Sequence, residues 1–212
     1  SAAKNTLRTM KDLSSSFISN RNKDNSYIAI KRAIIDKESI GVEFDIRLTK
    51  DNKIVLSPDS VLGINYIENM YYRDIIKYKY LTTLDKILDI DTDKILLIDI
   101  KVNNNYKLLG DILLDTINNS NRNIYLMSFN KKIIKYLNKK TKYKKGIISF
   151  FYRYNKYPLT SLNYKTISRR KLSIIKNKKI FLWTFNSITE AIKFRDKFDK
   201  KDSFYYIINK EE

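Results

Sequence analysis

The sequence predicts an α/β protein whose leading architecture is a (β/α)8 TIM barrel, small or slightly incomplete. Short apolar runs rich in β-branched and aromatic residues alternate along the chain with stretches of helical periodicity. Alternation of this kind is typical of parallel strands joined by right-handed crossovers. The length of 212 residues suits one small barrel, because about eight strand–helix units close a sheet into a barrel.

Eight segments resemble strands, and six of the stretches between them have helical periodicity. The strand segments are Phe17–Asn20, Ile40–Arg47, Lys53–Ser57, Lys94–Lys101, Asn123–Ser128, Gly146–Phe150, Lys179–Phe185 and Phe204–Asn209. The helical segments are Tyr27–Asp36, Thr83–Ile90, Tyr106–Ile117, Lys131–Leu137, Ser168–Ile175 and Ile188–Phe198. An open doubly wound sheet is the alternative. Its nucleotide-binding versions are disfavoured, because no G-x-G-x-x-G or G-x-x-x-x-G-K-[ST] motif follows any strand.

The whole chain, residues 1–212, is predicted to be one domain. It has no internal repeat and no break in composition, and its 4 Gly and 2 Pro do not form a linker. Residues 1–15 are interpreted as a tail or an expression remnant, in which Ser1-Ala2-Ala3 could replace a removed leader or anchor.

The chain contains no histidine and no cysteine. Ser-His-Asp and Cys-His catalysis, imidazole or thiolate zinc sites, iron–sulfur clusters and disulfides are therefore excluded. Any metal must be a hard ion held by oxygen, in practice calcium, magnesium or manganese.

The formal charge of +19 predicts attraction to anions such as phospholipid headgroups, phosphate polymers or nucleic acid. The abundance of Lys, Asn, Ile and Tyr leaves compositional drift in an AT-rich genome as an equally good explanation of this charge. The sequence contains no run of eighteen apolar residues, so it predicts no membrane-spanning helix. The absence of cysteine fits secretion from a Gram-positive cell as well as the cytosol, and we favour an extracytoplasmic or membrane-tethered location over a cytoplasmic one.

Two predicted strands carry acidic residues near their carboxyl ends. Glu43 and Asp45 are two positions apart, so both side chains project from the same side of the strand, where they repel each other unless a cation lies between them. An outward-facing pair that contacts neighbouring lysines is the alternative. Asp99 and Lys101 repeat the spacing at the end of a buried strand, where an unpaired charge is unfavourable. The two strands could converge on one divalent ion and one phosphate.

Arg21 and Trp183 are weaker candidates when each is considered alone. Arg21 follows the first strand, and a guanidinium binds phosphate oxygens through paired hydrogen bonds, although an arginine in this position is more often a solvated loop residue. Trp183, the single tryptophan, lies in a late strand, where such a residue usually belongs to the core.

Taken in order, these motifs resemble the glycerophosphodiester phosphodiesterase family over nearly the whole chain. Glu43-Phe44-Asp45 and Thr49-Lys50-Asp51-Asn52 match its Glu-x-Asp and Thr-Lys-Asp-Gly segments, and Ile98-Asp99-Ile100-Lys101 is similar to its Ile-Glu-x-Lys segment. Later in the chain, Trp183-Thr184-Phe185-Asn186 resembles Trp-Thr-Val-Asn. Weaker matches are Leu81-Thr82-Thr83-Leu84, Met127-Ser128-Phe129 and Ile207-Ile208-Asn209-Lys210.

The resemblance implies a barrel that cleaves glycerophosphodiesters with a divalent ion, usually calcium or magnesium. The residues at the family's metal positions are Glu43, Asp45 and Asp99, and those expected to bind the phosphodiester or glycerophosphate-like ligand are Arg21, Lys101 and Trp183. The two catalytic histidines of the family are replaced by Asn20 and Pro58. Since each proton transfer typically contributes about a hundred- to ten-thousand-fold in rate, their loss removes several orders of magnitude.

The leading hypothesis is a phosphodiesterase-like protein that has lost catalysis and binds a phosphate-bearing ligand or an anionic surface, such as a membrane or a phosphate polymer. One alternative is an active metal-dependent phosphodiesterase that uses Asp59, Asp24 or Lys101 as a substitute acid or base. A basic module that binds nucleic acid is the least favoured alternative, since it needs basic and aromatic residues on one face.

Overall fold

The structure is a computed structural model and describes residues 17–20, 25–198 and 204–209. Its strands are β1 (Phe17–Asn20), β2 (Gly41–Leu48), β3 (Ile54–Leu56), β4 (Val61–Leu62), β5 (Asn65–Tyr66), β6 (Ile95–Ile100), β7 (Asn123–Ser128), β8 (Lys144–Ser149), β9 (Leu159–Asn163), β10 (Lys179–Phe185) and β11 (Phe204–Asn209). Its α-helices are α1 (Tyr27–Ile35), α2 (Tyr72–Ile75), α3 (Leu84–Leu88), α4 (Tyr106–Ile117), α5 (Lys131–Asn138), α6 (Arg169–Ile174) and α7 (Ile188–Arg195).

The principal strands close into a parallel barrel. Going around it, the neighbours are β1, β2, β6, β7, β8, β9, β10 and β11, and β11 pairs again with β1. Strand β3 lies antiparallel on β2, and β4 and β5 form a separate hairpin. This arrangement confirms the predicted TIM barrel.

Alternate residues of each strand belong to two different apolar layers. Leu97 and Phe181 belong to a cluster made almost entirely of strand residues, which fills the inside of the barrel. Phe44 and Ile98 instead pack in the layer that includes helix residues such as Leu113. Because the side-chain period of a strand is two, residues 43, 45, 99 and 101 share the inward side with Leu97.

Close backbone packing explains two of the glycines. A Cβ at Gly146 would lie 2.2 Å from the carbonyl oxygen of Leu159, and one at Gly41 would lie 2.6 Å from the carbonyl oxygen of Ile95. Neither neighbour can yield, because each is main chain of the adjacent or facing strand. A side chain at either position would therefore open the barrel wall.

The prediction of Lys53–Ser57 as a barrel strand was wrong. This segment contains β3, which returns antiparallel along β2 after a tight turn with Asn52 at φ 61°. A parallel neighbour needs a crossover of about a dozen residues or more, and the turn is much shorter. The length of the connection alone could have revealed the hairpin.

The strand that completes the barrel, β9, was missed in the sequence. Its inward residues include Ser161, and Thr160 is equally buried, so the segment lacks the continuous apolar run of a typical barrel strand. The connection from β8 to β9, residues 150–158, contains no helix, and all of these residues are described. The outer helical layer of the barrel therefore lacks a helix between β8 and β9.

Side-chain caps begin five of the helices outside the barrel. The acceptors at these N-termini are Ser26, Asn105, Asn130, Ser168 and Ser187, and each accepts a hydrogen bond from a backbone N–H of the first turn. The six predicted helices are all present, mostly with ends one to three residues shorter than predicted. In the part of the chain that the structure describes, none of the helices is long and apolar enough to cross a bilayer.

Candidate functional site at the barrel mouth

Three carboxylates meet at the carboxyl end of the barrel strands. Asp45 on β2 lies directly beside Asp99 on β6, and Glu43 lies one inward position deeper, beside Leu97. One carboxylate oxygen from each of Glu43, Asp45 and Asp99 lies within 4.8 Å of the other two. All three residues are buried. The inward-facing interpretation of the Glu-x-Asp spacing thus agrees with the structure, and the outward-facing alternative does not.

Lys101 lies between two of these carboxylates. Its Nζ is 2.6 Å from Oδ2 of Asp99 and 3.0 Å from Oδ1 of Asp45. Residues 99 and 101 are brought together by the strand period, and the parallel register of β2 and β6 adds Asp45. One ammonium thus partly neutralises a cluster of three acids.

Burial and repulsion by neighbouring carboxylates shift the pKa values of Glu43 and Asp99. Burial is the main cause of the raised pKa of Glu43, and Asp45 and Asp99 raise it further. Burial likewise raises the pKa of Asp99 to about 6, against the opposing effect of Lys101. Burial alone would lower the pKa of Lys101, but the two aspartates outweigh it and raise that pKa. The lysine therefore remains charged, whereas Glu43 and Asp99 hold protons more tightly than in water.

The donor set fits a hard divalent cation. Carboxylate oxygens are the ligands that Ca²⁺ and Mg²⁺ prefer, and three of them converge here. The cluster has more negative charge than Lys101 can neutralise, so a cation beside Glu43 would relieve the repulsion that raises its pKa.

Arg47 is a mouth residue that was missed in the sequence. It follows Glu43 and Asp45 at the same two-residue spacing and is only 8% exposed. Its Nε donates to the carbonyl oxygen of Ser57 at 3.2 Å, and its Nη2 donates to that of Pro58 at 2.7 Å. Burial lowers its pKa, and Asp45 is the strongest of the acids that oppose this effect. Continuing the two-residue spacing from Glu43 and Asp45 to the next inward position of the strand would have identified Arg47.

Pro58, at the position of a histidine in the resembled family, contributes only its backbone carbonyl to this network. The following residue, Asp59, is exposed, and its own carbonyl oxygen accepts from the hydroxyl of Ser57 at 3.1 Å. Arg47 therefore holds the segment Ser57–Pro58 by hydrogen bonds to its backbone carbonyl oxygens, and position 58 has no titratable side chain.

The opposite side of the mouth is aromatic. Trp183 on β10 packs against Phe129 and Phe150, which follow β7 and β8, with ring centroids 5.9 and 5.3 Å away. Phe129 and Phe150 are themselves 5.8 Å apart. Both sides line a pocket of about 200 Å³, to which the charged side contributes Glu43, Asp99 and Lys101 and the aromatic side contributes Phe129 and Trp183. Trp183, expected in the core if considered alone, therefore lies at the mouth.

The amino-terminal predictions are only partly covered by the structure. The backbone of Asn20 pairs with Glu43 at the end of β1. Arg21 and Asp24 lie outside the described residues. Of the predicted site residues that are described with side chains, Glu43, Asp45, Asp99, Lys101 and Trp183 surround one mouth, and Pro58 is joined to it through Arg47.

In barrel enzymes the active site lies at the carboxyl ends of the strands, which is where the three buried acids, the lysine and the arginine of this chain are found. The comparisons with solved structures are more specific. A glycerophosphodiester phosphodiesterase from Thermotoga maritima is 20% identical, with a TM-score of 0.74 over 92% of this chain and 94% of that one. One from Parabacteroides distasonis is 16% identical, with a TM-score of 0.72 over 92% and 93%.

A phosphodiesterase from Oleispira antarctica, solved in complex with its product sn-glycerol-3-phosphate, is 13% identical. Its TM-score is 0.77 over 95% of this chain and 94% of that one. No family sequence model and no curated protein matches the chain. The fold is that of the glycerophosphodiester phosphodiesterase barrels, as the motif order predicted.

Proposed function

We propose that this chain is a divergent glycerophosphodiester phosphodiesterase-like barrel that binds a phosphate-bearing ligand and has lost hydrolytic catalysis. The observation that carries the proposal is the survival of Glu43, Asp45, Asp99 and Lys101 as one cluster in a chain without histidine. The ligand class is supported by the Oleispira phosphodiesterase, which holds sn-glycerol-3-phosphate in the same fold.

In this proposal Lys101 supplies the fixed positive charge for a phosphate oxygen. Two ion pairs hold its ammonium in place before the ligand arrives, so little side-chain entropy is lost on binding. The indole Nε1 of Trp183 is buried and has no hydrogen-bond partner among the described residues, which leaves a donor for a ligand oxygen. Ca²⁺ or Mg²⁺ held by the three carboxylates would add a Lewis acid for the phosphoryl group.

Loss of hydrolysis is supported by the absence of histidine from the chain, which leaves no imidazole for proton transfer. Lys101 has a raised pKa and keeps its proton, so it is a poor general base. Pro58 has no polar side chain, and Asp59 is exposed to solvent. The described residues at the mouth therefore favour binding over turnover.

Calorimetric titration with sn-glycerol-3-phosphate, in the presence of Ca²⁺ or Mg²⁺, tests the proposal. We expect saturable binding that weakens about tenfold or more in Lys101→Met, because a charge-assisted contact is lost. Lys79→Met, which removes an exposed lysine, is the matched control and should bind as the wild type does. Absence of binding, or an equal loss in both variants, contradicts the proposal.

An activity assay on glycerophosphocholine with the same ions separates binding from the alternative of an active enzyme. We expect no turnover above background. Robust turnover that is abolished by one alanine substitution at Asp59, Asp24 or Lys101 would instead establish a phosphodiesterase with a substitute acid or base.

A further inference from the structure

The positive charge of the chain is concentrated in one continuous stretch. No Asp or Glu lies between Asp115 and Glu190, and residues 116–189 contain 18 of the 42 Lys and Arg. This stretch therefore carries almost all of the net charge of +19. Compositional drift would enrich lysine along the whole chain and would not remove acidic residues from one stretch alone. The segregation of charge points instead to an anionic partner.

The barrel places this stretch on one side of the molecule. Strands β7, β8, β9 and β10 are consecutive neighbours, and helices α5 and α6 lie in the apolar layers outside them. Lys135 on α5 and Lys171 on α6 are exposed. Within the described residues, the ion pairs of this stretch involve Arg122 and Lys140. The outer surface of residues 116–189, here called the basic wall, therefore carries exposed cations that no described carboxylate contacts.

An aromatic ring stands out from the basic wall where a helix is missing. Residues 150–158, here called the strap, connect the parallel strands β8 and β9 and so run outside the barrel from its mouth to its amino-terminal end. Tyr157 packs into the outer apolar layer, whereas Tyr154 is 87% exposed. Arg153 and Lys156 are also exposed. The strap thus presents one ring between two cations.

Hydrogen bonds hold the strap on both sides of this ring. The Nδ2 of Asn155 donates to the carbonyl oxygen of Arg153 at 3.1 Å, and its Oδ1 accepts from the backbone N–H of Tyr157 at 3.1 Å. The Nζ of Lys178 donates to the same Oδ1 at 3.3 Å and to the carbonyl oxygen of Tyr157. The backbone around Tyr154 is ordered before a ligand binds, which lowers the entropic cost of a contact.

The shape and chemistry of the basic wall favour a flexible polymer over a flat surface. Exposed aromatic rings among lysines and arginines suit single-stranded nucleic acid, because a base stacks on the ring while the cations contact phosphates. An anionic bilayer attracts the same cations. The wall, however, is the outside of a closed barrel and is convex, so α5, the strap and α6 cannot all lie on one plane. A single strand can follow this curve.

We propose that the basic wall binds single-stranded nucleic acid, with a base stacked on Tyr154 and phosphates at Arg153, Lys156 and the cations of α5 and α6. The inference goes beyond the proposed function and does not depend on it, because it uses neither the carboxylates of the mouth nor Lys101. Basic and aromatic residues on one face are the requirement for such a partner, and the basic wall provides both.

Fluorescence anisotropy of a labelled oligothymidylate of about twenty nucleotides, titrated with the full chain, tests the proposal. We expect saturable binding whose affinity falls about tenfold or more when the salt concentration rises from about 50 to 200 mM, because several cations neutralise phosphates. An abasic oligomer of the same length has the same charge but nothing to stack. It should bind about fivefold or more weakly.

A pair of tyrosine variants isolates stacking. We expect Tyr154→Ala to weaken oligothymidylate about fivefold or more and to leave the abasic oligomer unchanged, because only the ring contact is lost. Tyr154→Phe keeps the ring and should bind as the wild type does. Tyr78 is 78% exposed but lies outside the basic wall, so Tyr78→Ala is the matched control and should change neither affinity.

A pair of double variants isolates charge. Arg153→Gln/Lys156→Gln should weaken both oligomers about fivefold or more and reduce their salt dependence. Lys37→Gln/Lys107→Gln removes the same charge from exposed positions outside the wall and should have little effect. Circular dichroism checks that all variants are folded.

Failure of oligothymidylate to bind, equal affinities for the two oligomers, or equal losses within either matched pair would overturn the inference. Capture of the protein by phosphatidylglycerol vesicles, without binding of oligothymidylate, would assign the wall to a bilayer and would also overturn it. Calorimetry with sn-glycerol-3-phosphate should give the same result for the wall variants as for the wild type, so the proposed function stands or fails separately.

Discussion

The two sides of the barrel mouth are held in place by different forces. At the ends of β2 and β6, buried groups of opposite charge form ion pairs: Lys101 Nζ lies 3.0 Å from Asp45 and 2.6 Å from Asp99. On the side of β7, β8 and β10, rings that are half exposed pack at the rim. Changes on the charged side should therefore alter both stability and binding, whereas changes on the aromatic side should alter binding with little effect on stability.

The largest effect is expected from Lys101→Met. Without the ammonium, three buried carboxylates repel one another, and we expect a loss of about 3 kcal/mol in the free energy of unfolding in the absence of metal. Ca²⁺ should recover more stability in this variant than in the wild type, because the cluster then has a larger uncompensated charge. Urea unfolding with and without Ca²⁺ measures both. If Lys101→Met lowers the free energy of unfolding no more than Lys79→Met does, the stability of the charged side does not depend on Lys101.

The next largest effect is expected from Arg47→Met. The substitution keeps most of the apolar stem but leaves the carbonyl oxygens of Ser57 and Pro58 without their donor, which costs about 2 kcal/mol. Arg195→Met, on the outer helix α7, provides a comparison in which the hydrogen bonds of the guanidinium within the described residues go to the side chain of the neighbouring Asp196. Equal unfolding midpoints in urea for the two variants would contradict a structural role for Arg47.

A smaller effect concerns pH. The folded state raises the pKa of Asp99 from 3.8 to about 6, so it binds this proton more tightly than the unfolded state does. The contribution to stability is therefore fully present below about pH 4 and is lost as the pH rises towards 6. In EDTA, the stability of wild type relative to Asp99→Asn should fall over this interval, as followed by thermal unfolding. Asp115→Asn, which removes an exposed carboxylate, is the matched control for the substitution itself.

The smallest effect on stability is expected on the aromatic side. Phe150→Ala removes a ring that is 51% exposed, and we expect a loss of about 1 kcal/mol or less. A loss of stability as large as that of Lys101→Met would mean that the aromatic side is part of the structural core, and the contrast between the two sides would then fail.

The charged side was predictable from the sequence because strand period and parallel register determine it almost completely. Glu43 and Asp45, like Asp99 and Lys101, are fixed on one side by a spacing of two, and both strands end at the same edge. The aromatic side was less predictable. Phe129 and Phe150 follow their strands, so where their rings point depends on loop conformation, which no short spacing encodes.

The two errors in the predicted fold also arose where the local sequence pattern did not determine the structure. Strand β9 has buried Thr160 and Ser161 where the apolar pattern of a barrel strand was expected, so hydrophobic periodicity did not reveal it. The hairpin of β2 and β3 was misread because strand propensity was considered without the length of the connecting turn.

The most direct test of the account is a ³¹P NMR experiment on glycerophosphocholine incubated with the protein and Ca²⁺ or Mg²⁺. One spectrum reports binding through broadening of the phosphodiester resonance, and hydrolysis through a new phosphomonoester resonance. We predict broadening that disappears in Lys101→Met, with no phosphomonoester over many hours. A growing phosphomonoester resonance that depends on the protein, or a phosphodiester line that stays sharp, would contradict a barrel that keeps its phosphate site without its catalysis.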